Sequence, residues 1–225
     1  MSTTTSTPRT GCDPAVSLTR SLLAYGVIAG PIYILVSLVQ AVTREGFDLT
    51  RHPWSLLSNG GLGWIQITNF VLAGLMTVAF AVGLHRALRP GRGATWAPRL
   101  VGTYGVSLIC AGVFRADPAM GFPAGTPDGA TEVSWHGIAH FAAGGIGFTC
   151  LVAACLIVAR RFAAQRRPGW ATLSAVAGVA LLAGFGAVAS GSGGAGATLA
   201  FVAAIVLIWT WMSALAVHLY REATK

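Results

Sequence analysis

Charge is scarce in this chain. Only 10% of its 225 residues are Asp, Glu, Lys or Arg, whereas a soluble globular domain carries about 25%. These few charges fall between long apolar stretches or at their ends, and 54% of the residues are hydrophobic. The pattern excludes an ordinary water-soluble domain and indicates that lipid is the main solvent of the fold.

Cysteine and acidic residues are also few. Of the four cysteines, Cys12 lies in a polar N-terminal segment, and Cys110, Cys150 and Cys155 lie inside apolar stretches, so no disulfide framework is indicated. The net charge of +8 could suggest nucleic acid, but the arginines cluster between apolar stretches. There they serve as topology signals and headgroup anchors, so we exclude nucleic acid as a partner.

Long apolar stretches are what the sequence has in abundance. A membrane-spanning helix needs about 20 predominantly apolar residues, and inside hydrocarbon every backbone polar group must be paired within the segment. We therefore predict an all-α polytopic membrane protein with a bundle of six transmembrane helices. The predicted spans are about 20–43, 62–85, 99–115, 135–159, 170–190 and 197–219. The third is the shortest and requires Arg99 and Arg115 to reach the membrane interfaces.

The basic residues predict the orientation. With six spans both termini share one side, which carries most of the arginines, while the other side has only Arg44, Arg51 and Arg115. The positive-inside rule places both termini in the cytoplasm of a multi-pass cell-membrane protein. We predict a disordered cytoplasmic tail at 1–18, a transmembrane domain at 19–220 and a short cytoplasmic tail at 221–225.

The two long outer connections and the start of the fourth span contain the candidate functional residues. His136 and His140 are four residues apart, so their rings share one face of a helix. Glu132 joins that face only if the helix begins before Ser134, which is also a candidate N-cap.

Histidines and a carboxylate in this region form a sufficient ligand set for zinc with one position open for water. The metal ligands would be His52, His136 and His140. The catalytic candidates are Asp117, Glu132 and Ser55, and the substrate-binding candidates are Gln66, Asn69 and Trp64. Because HxxxH lacks the glutamate of HExxH, the same residues also fit a proton-handling or substrate-binding pocket without metal, or a structural hydrogen-bond cluster.

Three segments carry a family resemblance: HPWSLLSNGGLGWIQITNF, then DPAMGFPAGTP, then WHGIAH. Together they make the chain resemble, over about 20–220, the bacterial six-span membrane family catalogued as domain of unknown function 998. This resemblance implies a fold and points to the outer rim, but supplies no activity. The residue types also resemble those of the transmembrane hydrolases that include alkaline ceramidases and adiponectin receptors. Those proteins have seven helices with HxxxH in the last, so that likeness is chemical analogy only.

Three functions stay open on the sequence. The outer pocket could belong to a zinc-dependent membrane hydrolase, to a small-molecule or proton-coupled carrier or sensor, or to a non-catalytic structural protein of the envelope. The partners expected are the lipid bilayer and a lipid-like or small-molecule ligand at the outer face. The sequence does not decide between enzyme and non-enzyme, and it gives no oligomeric state.

Overall fold

Six α-helices make up most of the part of the chain that the structure describes. The computed structural model describes residues 13–128, 132–191 and 194–223. The helices are α1 (Pro14–Thr43), α2 (Gly63–Ala87), α3 (Trp96–Val113), α4 (Trp135–Ala164), α5 (Pro168–Ala189) and α6 (Ala195–Glu222), and a short 3-10 helix (Trp54–Ser58) precedes α2. The described residues contain no β-strand, which confirms the all-α prediction.

The first helix begins earlier than predicted. Asp13 caps α1 by accepting a hydrogen bond from the backbone N–H of Ala15, and Pro14 occupies the first helical position. Residues 14–18 are therefore part of α1 rather than of the predicted tail, while residues 1–12 lie outside the described residues. The other helices begin and end within a few residues of the predicted spans.

The helices form a closed ring. Each helix packs antiparallel against the next along the chain, and α6 packs against α1. At one end of this seam Arg20 donates a hydrogen bond to the Tyr220 hydroxyl at 2.9 Å. Both described ends of the chain therefore lie at one end of the bundle, here called the terminal end. The opposite end, which carries connections 44–62 and 114–134, is called the loop end.

Five of the described helices could cross a membrane. All but α3 are long and apolar enough by length and composition, which confirms a multi-pass helical membrane protein. The exception has 18 residues, with Pro98 and Arg99 in its first turn. It packs between α2 and α4 in the same bundle. Because α3 is not among the helices long and apolar enough to cross a membrane, a sixth span stays a prediction.

Close contact between α2 and α3 depends on paired glycines. A Cβ atom on Gly105 would lie 2.9 Å from the carbonyl oxygen of Gly74, and one on Gly74 would lie 2.6 Å from that of Gly105. Small residues of this kind allow helix backbones to approach within a membrane. Gly102, three residues earlier on α3, has only an ordinary 3.6 Å contact with the Cβ of Ala81.

We therefore expect Gly105→Ala to lower the free energy of unfolding by about 1–3 kcal/mol, because the added methyl group must push two backbones apart. Gly102→Ala is the matched control on the same helix and should leave stability unchanged or slightly higher. Thermal unfolding of both variants in the same detergent measures the difference. Equal unfolding temperatures would contradict this account of the α2–α3 contact.

Candidate functional site

His52 joins the two long loops at the loop end. Its ring is 2% exposed and lies between Phe47 and Phe122, at centroid distances of 5.2 and 5.6 Å. Its Nδ1 accepts a hydrogen bond from the backbone N–H of Asp48 at 2.8 Å, and its Nε2 lies 2.9 Å from the carbonyl oxygen of Met120. Since Nδ1 is an acceptor, Nε2 carries the proton and donates to that carbonyl. Both nitrogens are used by the backbone.

Charged side chains fix the same loops. Arg44 lies over the ring of Phe122 at 4.8 Å and donates hydrogen bonds to the carbonyl oxygens of Leu57 and Asn59. Partial burial lowers the pKa of Arg44 below its usual value. The first long loop is thus held by its own backbone as well as by the second loop.

A local turn orders the start of this loop region. Thr50 donates from its hydroxyl and its backbone N–H to the Asp48 carboxylate, and these bonds lower the pKa of Asp48. The turn brings the backbone N–H of Asp48 to the ring of His52.

The 3-10 helix enters the bundle at the loop end. Trp54, Leu56 and Leu57 are buried, and the Trp54 ring lies 6.2 Å from that of Tyr33 on α1. Ser55 faces the interior cavity described next.

A cavity of about 530 Å³ lies in the loop half of the bundle, between α3, α4, α5 and α6. This volume falls within the range of about 300–1,000 Å³ typical of small-molecule sites. Most of the lining is apolar. Four phenylalanines form one continuous wall, with ring centroids 5.0 to 6.1 Å apart. This phenylalanine wall consists of Phe141, Phe148, Phe185 and Phe201.

His140 is a polar group on this lining. Its Nδ1 lies 3.0 Å from the carbonyl oxygen of Ala111 and 2.8 Å from that of Phe114. Two carbonyl oxygens can only accept, so Nδ1 carries the proton and Nε2 keeps its lone pair. Among the described residues Nε2 has no hydrogen-bond partner. His140 therefore presents an unused acceptor at the cavity.

Asp117 lies on the lining and caps α4. Its carboxylate accepts hydrogen bonds from the backbone N–H and the hydroxyl of Ser134, and that hydroxyl accepts one from the backbone N–H of Gly137. A negative charge is favourable at a helix N-terminus. A Cβ atom on Gly137 would overlap the Asp117 carboxylate, so a larger residue there would displace the carboxylate from its present position.

Three predicted site residues lie away from the cavity lining. Ser134 is the N-cap of α4, so Glu132 precedes the helix and does not extend the histidine face. His136 is exposed and packs on the ring of Trp135, while Trp64 is 62% exposed at the start of α2. None of the three is among the lining residues.

Gln66 and Asn69 join α1 to α2. The Gln66 side-chain oxygen accepts a hydrogen bond from Gln40 at 2.8 Å, and the Asn69 amide donates to the carbonyl oxygen of Tyr33 at 3.1 Å. Ser37 lies between them and contacts both. Both side chains are buried and absent from the cavity lining, an arrangement typical of interhelical hydrogen bonding in membranes.

The predicted zinc ligands do not form one set. No group of three His, Cys, Asp or Glu side chains within 13–128, 132–191 and 194–223 could hold a metal ion. His52 would have to break its bond to the N–H of Asp48 to offer a lone pair. The structure brings His140, Asp117 and Ser55 to the cavity, and it holds His52 behind them in the loops.

Sequence reasoning missed the aromatic part of the site. Tyr33, Trp54 and Tyr104 line the cavity with the phenylalanine wall. Aromatic residues in apolar spans are equally typical of lipid-facing surface, so composition gave no signal. The spacing of Phe141 and Phe148, seven residues apart, does place both on one face of α4 together with His140.

Comparison with known proteins gives one match. A family model described as "Protein of unknown function (DUF998)" matches residues 27–218. No curated protein and no solved structure matches the chain.

We expect His52→Ala to destabilise the protein, because it leaves the N–H of Asp48 and the carbonyl of Met120 without partners, at about 1–3 kcal/mol for each group. His136→Ala removes an exposed imidazole and should change stability by less than about 0.5 kcal/mol. Thermal unfolding and limited proteolysis of the loops measure both. Similar losses in the two variants would contradict the role given to His52.

Proposed function

The chain belongs to the DUF998 family of proteins of unknown function, and from that premise we propose that it binds a small apolar or lipid-like molecule in the cavity at its loop end. The family name gives no activity, so the proposal depends on the cavity. The observation that supports it best is a mostly apolar cavity of about 530 Å³. Its lining includes His140, whose Nε2 has no hydrogen-bond partner among the described residues. Apolar walls with few polar groups are typical of ligand sites.

The proposed orientation turns this cavity outward. Arginines are concentrated at the terminal end, where Arg86 donates to the carbonyl oxygen of Ala15 and Arg161 donates to that of Arg92. The positive-inside rule then assigns the terminal end to the cytoplasm and the loop end to the outer face of the cell membrane. In this arrangement α3 is the sixth span, extended by Arg99 and Arg115 reaching the interfaces.

Binding or sensing fits better than proton-coupled transport. Transporters commonly bind substrate at broken helices near the membrane midplane. Gly30-Pro31 is a sequence at which α1 could break, but α1 runs as one helix from Pro14 to Thr43. The charged residue on the cavity lining is Asp117, which precedes α4 and belongs to the loop end.

The zinc-dependent hydrolase fits the described residues poorly. Both nitrogens of His52 are hydrogen-bonded to backbone groups, and His136 lies outside the cavity lining. Only His140 of the predicted ligands presents a free nitrogen to the cavity. We derive no catalytic step through zinc from this arrangement. A purely structural envelope protein, the other alternative, would leave the cavity without a ligand.

Photolabelling of the protein in liposomes with a small neutral aryl diazirine tests binding. We expect labels on Phe148 and Phe201 in the cavity, and on Leu35 and Leu75, which are 63% and 54% exposed. Gly144 lines the cavity, and a Cβ atom there would meet nothing closer than 4.0 Å. The Cβ atom of Gly144→Phe therefore meets no clash, and we expect its ring to occupy the cavity and reduce cavity labelling about tenfold, a loss of about 1.4 kcal/mol in binding.

Gly186→Phe is the matched control, because a Cβ atom on Gly186 meets nothing within 4 Å and the residue does not line the cavity. It should leave labels at Phe148 and Phe201 unchanged. Labelling confined to Leu35 and Leu75 in the wild type would refute ligand binding in the cavity.

Metal analysis separates the hydrolase from the binding protein. Protein purified without chelators should contain less than about a tenth of an equivalent of zinc, since a structural or catalytic zinc site needs three or four converging ligands. Stoichiometric zinc that disappears in His140→Ala would favour the hydrolase instead.

A further inference from the structure

We infer that the cavity selects an amphiphile with one alkyl chain and a headgroup, such as a hydroxyl, that donates a hydrogen bond and carries no negative charge, the headgroup lying at His140 and the chain along the phenylalanine wall. This inference rests on the proposed function and specifies its ligand. It follows from the acceptor atom that His140 keeps on the lining, and from the sign of the charge beside it.

The acceptor on the lining is fixed by the backbone. Nδ1 of His140 lies 3.0 and 2.8 Å from two carbonyl oxygens. In the other tautomer the lone pair of Nδ1 would face the lone pairs of both oxygens, which is unfavourable. Nε2 is therefore an acceptor in the neutral ring, and a ligand gains a hydrogen bond there only if it donates. Ethers, esters and ionised acids have no proton to give.

Headgroups differ in whether they can donate to this nitrogen. A hydroxyl carries an O–H donor, whereas an ether of the same chain length has acceptors only. The indole N–H of Trp54 takes no part: Trp54 is a lining residue, but this atom is buried away from the cavity surface and makes no hydrogen bond to any described residue.

Charge on the lining excludes anionic headgroups. Asp117 is a lining residue, and no Lys or Arg is among the lining residues. A carboxylate or phosphate placed there would have no counter-charge in an apolar surrounding, where unpaired charge is costly. Ser55, also on the lining, adds a hydroxyl that can take either role.

The wall that would receive the chain is accessible from the bilayer. Ile138 and Phe141 line the cavity and are 59% and 52% exposed on α4, a helix long and apolar enough to cross a membrane. In a bilayer the exposed parts of these side chains contact acyl chains. An amphiphile can therefore approach with its chain already in lipid.

The test uses the diazirine labelling of Phe148 and Phe201 in liposomes, with three competitors of one chain length: 1-decanol, its methyl ether and decanoate. In the wild type the alcohol should protect the cavity at a membrane concentration about tenfold lower than the ether, as one hydrogen bond of about 1.4 kcal/mol implies. Decanoate should protect least.

Variants test the hydrogen bond to His140. His140→Leu should remove the preference for alcohol over ether, because the acceptor is lost. His136→Leu, one helical turn away and exposed, is the matched control and should keep the preference.

Each result has one meaning. Equal protection by alcohol and ether in the wild type, best protection by decanoate, or a preference that survives in His140→Leu would overturn the inference of a donating headgroup. Those outcomes leave cavity binding intact, provided that Phe148 and Phe201 are labelled. Absence of any label on these two residues in the wild type would instead remove the proposed function itself.

Discussion

The hydrogen bonds between Asp117 and the start of α4 fix the geometry of the candidate site. Asp117 accepts from the backbone and the side chain of Ser134, and Ser134 in turn caps the backbone N–H of Gly137. This cap determines where α4 begins and therefore which direction each of its side chains takes. It holds the second long loop against the helix that carries His140. With a different first turn, His140 could not reach the carbonyl oxygens of Ala111 and Phe114.

The long loops act as a packed cover because backbone groups of each loop are hydrogen-bonded to side chains within the loops. His52 joins one loop to the other through backbone groups on each side, and Arg44 holds the carbonyl oxygens that follow the 3-10 helix. A loop with unpaired backbone groups could not enter an apolar bundle. These bonds allow Trp54 to lie beside Tyr33, where it forms part of the cavity lining.

Sequence predicted the helices well because lipid imposes a strict rule on length and backbone pairing. The predicted start of α1, at about residue 20, is too late. The helix begins at the N-cap Asp13 and Pro14, a start signal that the length of the apolar stretch does not reveal. Sequence reasoning grouped His140, Asp117 and Ser55 with His52 and His136; the structure has the first three on the cavity lining and His52 hydrogen-bonded within the loops. The partners of His52 and His140 are backbone carbonyls and an N–H group, and residue type carries no information about such partners. Spacing alone therefore cannot distinguish an imidazole held by the fold from one left free for a ligand.

That distinction explains why the polar residues of this bundle have different roles. Gln66 and Asn69 lie between α1 and α2 and bind other side chains and the backbone there. Oxygens of Gln40 and Asn69 do lack partners, but neither residue lines the cavity. Nε2 of His140, by contrast, belongs to a lining residue beside the phenylalanine wall. In an apolar medium an unmade hydrogen bond has no water to replace it, and this nitrogen is therefore the atom at which we propose that a ligand is recognised.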